Sequence, residues 1–197
     1  MISTSEAPYQ SCYCEENVYK LFEKIRDSEE GGNSKLDEFW AVLMSNDKKM
    51  MPLWAQKAAR EPGLFVLWDY HVIAISKSPS ESSSRVYDLD SVLEWGVDFK
   101  KYWEETMNEE EMRQVHTKYR RKFRLIPGPI YLRLLSSDRS HMLDANGKYL
   151  KPPPPWPKIL QESAGNVSNL MDLIDMSLEF PDTRVVEEKE MEEFFGK

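Results

Sequence analysis

The chain has 197 residues, of which 41% are hydrophobic and 12% aromatic. That is enough apolar material for one compact domain over residues 1–197, and it excludes collagen-like, disordered and mini-protein readings. Its 26 basic and 34 acidic residues leave a formal net charge of -8, the wrong sign for a phosphate backbone, so nucleic acid is set aside as a partner. With only 2 cysteines, Cys12 and Cys14, there is no secreted disulfide framework, and an unbroken apolar run such as Leu64 to Trp68 is far too short for a membrane span. The expectation is a monomer in the cytoplasm or nucleus, away from membranes.

The first element begins after Cys14, where Val18, Leu21, Phe22 and Ile25 form the stripe of an amphipathic helix. Glu15 and Glu16 suit the positive end of its dipole, and Gly31-Gly32-Asn33 should stop it. Phe39 to Met44 and Met50 to Trp54, joined by the polar Ser45 to Lys49 turn, read as a hairpin whose second arm Pro52 keeps short or at an edge. Leu64 to Ile75 is apolar almost throughout and reads as one central strand. The Ser-rich Lys77 to Ser84 turn then leads into Arg85 to Asp90, a second hairpin. Asp98 to Lys118 is charged and helix-prone, and Arg121 to Ile126 alternates like a strand before Pro127-Gly128-Pro129 breaks it. A short helix from Ile130 to Leu135 follows. Ser136 to Pro157 reads as a long ordered loop with an extended proline run before Trp156. The acidic tail from Glu187 to Glu193 looks weakly helical at best, and 158–197 is the part least tied to any motif.

A thiol at a helix N-terminus has its thiolate stabilised by unpaired N–H groups and the dipole, and Cys14 holds that position; the plain alternative is a small buried hydrophobe. His71 lies inside the central strand and shares its face with Asp69. If the second hairpin is symmetric about a turn centred between Pro79 and Ser80, His71 stands opposite Asp88, a carboxylate suited to holding the imidazole Nδ1–H. Asp90 is the alternative. Cys14, His71 and Asp88 would then supply nucleophile, base and orienter, in the chain order of papain-like and transglutaminase-like enzymes. Elsewhere the plain readings are preferred: His116 as a solvated side chain, Arg120 to Arg124 as an exposed strand face, and the proline run as a rigid wall. A Cys12, Cys14, His71, His141 metal site lacks structural-zinc spacing.

The strings Ser11-Cys12-Tyr13-Cys14-Glu15-Glu16-Asn17, Trp68-Asp69-Tyr70-His71-Val72 and Tyr87-Asp88-Leu89-Asp90 closely resemble the protein N-terminal glutamine amidohydrolase family. So do Ser45 to Met50, Arg121 to Arg124, Ser137 to Met142 and the prolines before Trp156, so the resemblance runs from Tyr13 to Pro157. Val92-Leu93-Glu94-Trp95-Gly96 departs from the Leu-Pro-Phe-Pro-like stretch usual after the second aspartate. The resemblance implies an α+β fold, a three-layer α-β-α sandwich around a mostly antiparallel sheet with a papain-like or transglutaminase-like core, and a Cys14-His71-Asp88 triad. It also implies deamidation of an N-terminal Gln to Glu through a thioester, without cofactor or metal, on proteins or peptides with a free N-terminal Gln, feeding the Arg/N-degron route. Selectivity for the free α-ammonium calls for a paired anion, with Glu15, Glu16, Asp69 and Asp138 as candidates and His141 as a further residue lining the site. Another cysteine hydrolase, whether peptidase or acyl transferase, and a non-catalytic interaction module are the competing readings.

Overall fold

The computed structural model describes residues 3–28 and 32–197, so Gly31 of the expected helix stop lies outside the described residues. Helix α1 runs from Cys14 to Arg26 and is capped by Asp27, so it ends before the glycines are reached. Val18, Leu21, Phe22 and Ile25 are buried as the apolar stripe requires, and so are Cys14, Glu15, Glu16 and Asn17, which places the first turn inside the protein. A short helix α2, Gly32–Leu36, leads to strand β1, Phe39–Ser45.

The protein is α+β. Its main sheet contains β1, β4 (Tyr70–Ser76), β5 (Arg85–Tyr87), β6 (Val97–Asp98), β7 (Lys122–Pro127) and β8 (Arg184–Glu187) in the order β6-β5-β4-β1-β7-β8. All of these neighbours pair antiparallel. Side chains alternate across a strand, so β1 sends Ala41 and Leu43 to one face and Val42 and Met44 to the other. The first face is covered by α1 and by α5 (Gly128–Leu134), the second by α3 (Phe99–Tyr102) and α7 (Glu188–Phe195). Each fully buried Leu, Phe or Met on these faces contributes about 1.5–3 kcal/mol, so both layers are stabilised mainly by this burial.

Several segments depart from the sequence reading. The Ser45 to Lys49 turn forms, with the Asn46 side chain accepting from the Lys48 and Met50 N–H groups and donating to the Met50 carbonyl. Its arms nevertheless do not pair with each other. Strand β2 (Met51–Leu53) pairs with β3 (Val66–Trp68) in a separate two-stranded ribbon, while β1 goes to β4 and β7. The expected single strand from Leu64 to Ile75 is likewise two strands. It breaks at Asp69, whose side chain accepts from Tyr70 N–H and whose carbonyl accepts from the Ser45 hydroxyl. Leu64, Phe65 and Leu67 are exposed before the break and every residue of β4 is buried after it.

The second hairpin forms, but Ala74 pairs with Tyr87, two residues from the symmetric register, and the ladder ends there. The charged middle segment gives α3, a π-helical turn (Trp103–Met107), α4 (Glu109–Met112) after left-handed Asn108, and a 3-10 turn at Thr117–Tyr119. At the Pro-Gly-Pro break, β7 passes directly into α5. A Cβ on Gly128 would lie 2.9 Å from the Leu36 carbonyl, so glycine permits the close approach to α2.

Arg121 and Arg124 are buried rather than set on an exposed strand face. Arg121 reaches Glu188 and the Pro52 and Met107 carbonyls, and Arg124 donates to the Leu173, Asp175 and Leu178 carbonyls. Together they fasten the C-terminal part of the chain. The tail is accordingly not a loose helix: β8 pairs with β7, and α7 starts with a capping box between Glu187 and Glu190 and buries Met191 and Phe195.

Candidate active site

Three elements meet at the thiol. Cys14 is the first residue of α1, and the segment entering it is pinned by Asn17, whose side chain accepts from Gln10 N–H at 2.8 Å and donates to Gln10 carbonyl at 2.9 Å. Helix α1 packs on β4, where the Val72 backbone N–H points to the Cys14 sulfur. The residue before Val72 is His71, fully buried in mid-sheet. Immediately past the end of β5 stands Asp88.

The orientation of the imidazole differs from the expected one. His71 bonds Asp88 Oδ1 through Nε2, at 2.9 Å, not through Nδ1. Asp88 reaches it because β5 has left the ladder by Tyr87, so the contact is made by a turn rather than by directly opposed strand residues. Asp88 Oδ1 also accepts from Asp90 N–H at 2.9 Å, and Oδ2 accepts from Tyr102 hydroxyl at 2.8 Å and Gln56 amide at 3.2 Å. Burial would raise the Asp88 pKa, but the His71 charge, its hydrogen bond and the other donors outweigh that and hold it below the ordinary range. An ionised Asp88 makes Nε2 the donor. His71 Nδ1, buried and without a hydrogen-bond partner, therefore carries the free lone pair. Burial pulls the imidazole pKa down, and the charge and hydrogen bond of Asp88 and the charge of Asp90 lift it above the ordinary value. Trp68 stacks on the ring with centroids 4.6 Å apart.

The thiol itself is not acidified, contrary to the expectation from its helix position. Burial, followed by the charges of Glu15, Asp90 and Asp88, pushes the Cys14 pKa far up, against only the Val72 N–H. The low-dielectric, acidic surroundings defeat the dipole. The resting site holds a neutral thiol at the start of α1 and, one residue before Val72 on β4, an imidazole with a free lone pair.

The five other residues singled out in the sequence occupy different settings. Glu15 is buried; its Oε2 accepts from Tyr70 hydroxyl at 3.0 Å and lies 3.8 Å from Cys14 Sγ, while Oε1 has no hydrogen-bond partner. Burial and the Glu16 charge lift its pKa to about 8, against its own N–H, Tyr70 and Cys14. His141 lies across from it, Nε2 at 3.7 Å from Glu15 Oε1, and burial keeps its pKa below the ordinary value. Neither of its ring nitrogens has a hydrogen-bond partner. Asp69 is exposed, and Asp138 is half-buried and accepts from Ser140 N–H.

Glu16 is occupied within the chain. Arg139 donates to both its oxygens at 2.9 and 2.8 Å, Trp156 indole to Oε2 at 2.7 Å and Ser137 hydroxyl to Oε1 at 3.3 Å. Arg139 also donates to the Trp156 and Pro157 carbonyls, so the proline wall is tied through it to the start of α1. Arg139→Ala leaves a buried carboxylate short of two donors, and we expect it to lower unfolding stability by about 3–5 kcal/mol, read from the denaturation midpoint. A loss within experimental error would show that the pair contributes nothing.

Gln56 and Tyr102, which hold Asp88, went unseen in the sequence because nothing local marks residues that meet only in three dimensions. Tyr9, whose hydroxyl donates to Asp90 at 2.7 Å, was missed for the same reason. His71, Asp88 and Asp90 bring ligand-type atoms within 4.8 Å of one another, but both oxygens of Asp88 and Oδ1 of Asp90 already accept hydrogen bonds from the chain.

A family model described as N-terminal glutamine amidase matches residues 9–195. The protein N-terminal glutamine amidohydrolase of Caenorhabditis briggsae is 62% identical over 196 residues, covering 100% of this chain and 99% of its own. The Caenorhabditis elegans protein of the same name is 57% identical over 197 residues, with 100% of both chains covered. The human one is 42% identical over 168 residues, covering 85% of this chain and 78% of its own.

Proposed function

The chain belongs to the N-terminal glutamine amidase family, an amidase family of enzymes, and from that premise we propose that it hydrolyses the side-chain amide of an N-terminal glutamine to glutamate, releasing ammonia. The observation that carries the reading furthest is the Nε2 bond between His71 and ionised Asp88, which leaves Nδ1 free as a base on the residue next to Val72, whose N–H meets the Cys14 sulfur. As Cys14 Sγ attacks the amide carbon, its proton passes to His71 Nδ1, and Asp88 stabilises the imidazolium that forms. The tetrahedral oxyanion takes the Cys14 backbone N–H as its first donor. His71 returns the proton to the leaving nitrogen, ammonia departs and a γ-glutamyl thioester remains. Water then attacks it, giving its proton to Nδ1, and the thiol is released with the glutamate.

A cysteine at the start of a helix packed on β4, a histidine on β4 and an aspartate just past the end of β5 support a papain-like or transglutaminase-like core. Both cysteines are free thiols, which suits the cytoplasm or nucleus, where a new N-terminal Glu would feed the Arg/N-degron route. Among the described residues no helix is long and apolar enough to cross a membrane. We read the chain as acting as a monomer, without cofactor or nucleic acid.

The test is to incubate the protein with peptides starting in Gln, Asn or Glu and follow ammonia and mass. A gain of about one mass unit on the Gln peptide alone is expected. Backbone cleavage or amine incorporation would instead favour a peptidase or transglutaminase. Acetylating the α-amine, or moving Gln to the second position, is expected to lower kcat/KM by about 10³-fold or more, since a site built for a polar group rejects its absence strongly. Similar rates on free and acetylated peptides would sink α-amine recognition.

A further inference from the structure

The geometry points to Glu15 Oε1, with His141 beside it, as the seat of the substrate's α-ammonium group. This rests on the proposed deamidation of N-terminal glutamine and names the residues that restrict it to chain ends.

Buried polar atoms are normally hydrogen-bonded, and exceptions ask for a reason. Among the described residues nine buried side-chain atoms lack a hydrogen-bond partner, and three of them lie together next to Cys14: Glu15 Oε1 and both ring nitrogens of His141. Glu15 Oε1 and His141 Nε2 are 3.7 Å apart, too far to bond each other but a spacing that a single nitrogen can span with two hydrogen bonds of ordinary length. A neutral His141 offers one lone pair and a carboxylate offers charge, so together they accept two of the three protons of an ammonium.

Reach is also right. Four bonds separate the α-nitrogen of glutamine from its side-chain amide carbon, at most about 5 Å when extended. Glu15 Oε2 lies 3.8 Å from Cys14 Sγ, so one glutamine can meet the thiol with one end and this carboxylate with the other. Tyr70 hydroxyl holds Oε2 and leaves Oε1 turned to the ligand.

The other carboxylates are less suited. Glu16 already accepts from Arg139, Trp156 and Ser137. Asp69 is exposed and Asp138 is half-buried with its own backbone donor, so a cation there stays largely in water. Glu15 is uncharged for much of the neutral range in the resting protein, which removes the standing cost of a buried anion, and an arriving cation draws the proton off.

The test compares a Gln-starting peptide with the same peptide carrying hydrogen in place of the α-amine, on wild type, Glu15→Gln and Glu15→Asp. Wild type is expected to prefer the amine-bearing peptide by about 10³-fold in kcat/KM, and Glu15→Gln to shrink that preference to within about 10-fold, mainly through KM. Glu15→Asp keeps the charge one methylene away and is expected to retain more of the preference than Glu15→Gln. It also serves if Glu15→Gln fails to fold. Adding Glu15→Gln to inert Cys14→Ala and titrating both peptides by calorimetry should abolish tighter binding of the amine-bearing one.

A preference that survives Glu15→Gln overturns the inference while leaving the deamidation reading intact. Equal loss on both peptides, carried by kcat, makes Glu15 a positioning residue for the thiol and also overturns it. No ammonia release by wild type from the Gln-starting peptide removes both readings together.

Discussion

Serine in place of Cys14 is expected to lower kcat for ammonia release by about 10⁴–10⁶-fold, whereas serine at Cys12 should leave it within a few-fold. The thiol is neutral at rest because burial and three carboxylates oppose its ionisation. Its reactivity must therefore arise from handing a proton to His71 during attack, and a hydroxyl, far less acidic, performs that step poorly in the same surroundings. Cys12 lies two residues outside the helix, at a left-handed φ of 69°, its sulfur 3.5 Å from Ser11 Oγ. No part of the dyad involves it. The check is the initial rate of ammonia release for each variant, with circular dichroism to show that it is folded. Activity that followed Cys12 instead would reverse the assignment.

The second large effect concerns the base. His71→Ala should be as severe as losing the thiol, because the two act as one unit. Asp88→Asn should cost about 10³–10⁴-fold, since the asparagine amide can donate to Nε2 and so force the proton onto Nδ1, the nitrogen needed as base. The remaining activity carries a signature that a merely structural role would lack. His71 must be neutral to accept the proton, so activity falls as pH drops through its pKa, which Asp88 and Asp90 hold above the ordinary value against the pull of burial. Removing the Asp88 charge lowers that pKa, and the acid limb of kcat/KM should move to lower pH. An unmoved limb would show that Asp88 does not act through the imidazole, and a larger loss from Asp90→Asn would transfer the orienting role to Asp90.

The sequence made the site more legible than the fold around it. Cys14 stands out in the sequence because a helix stripe and acidic first-turn residues both begin there, and His71 because it interrupts an apolar strand. Local signals of this kind survive in one dimension. The protonation state of Cys14 was not legible, because the helix position and Glu15 are visible in sequence but the burial that chiefly opposes ionisation, and the Asp90 and Asp88 charges added from the segment after β5, are not. Strand partners were lost for a related reason. The Asn46 turn looks the same whether its arms pair with each other or, as here, with β3, β4 and β7. Arg121 and Arg124 misled because alternation marks which face a residue takes but not what waits there. In the fold they meet Glu188 and a row of carbonyls from the C-terminal segment. The tail was underestimated because its helix gains little from propensity and much from the capping box and the burial of Met191 and Phe195.

The bonds that fix Glu16 link residues 121, 123 and 140 positions apart in the chain. On a growing polypeptide the Cys14 thiol, the His71 imidazole and the Asp88 carboxylate all emerge before the residues that clamp Glu16. The arginine, serine and tryptophan that hold the first turn of α1 are translated much later, and closing loops of that length is slow. A chain stopped short of residue 137 retains Cys14, His71 and Asp88 without the clamp that holds the first turn of α1 in place, and on the proposed reading it is expected to lack ammonia release.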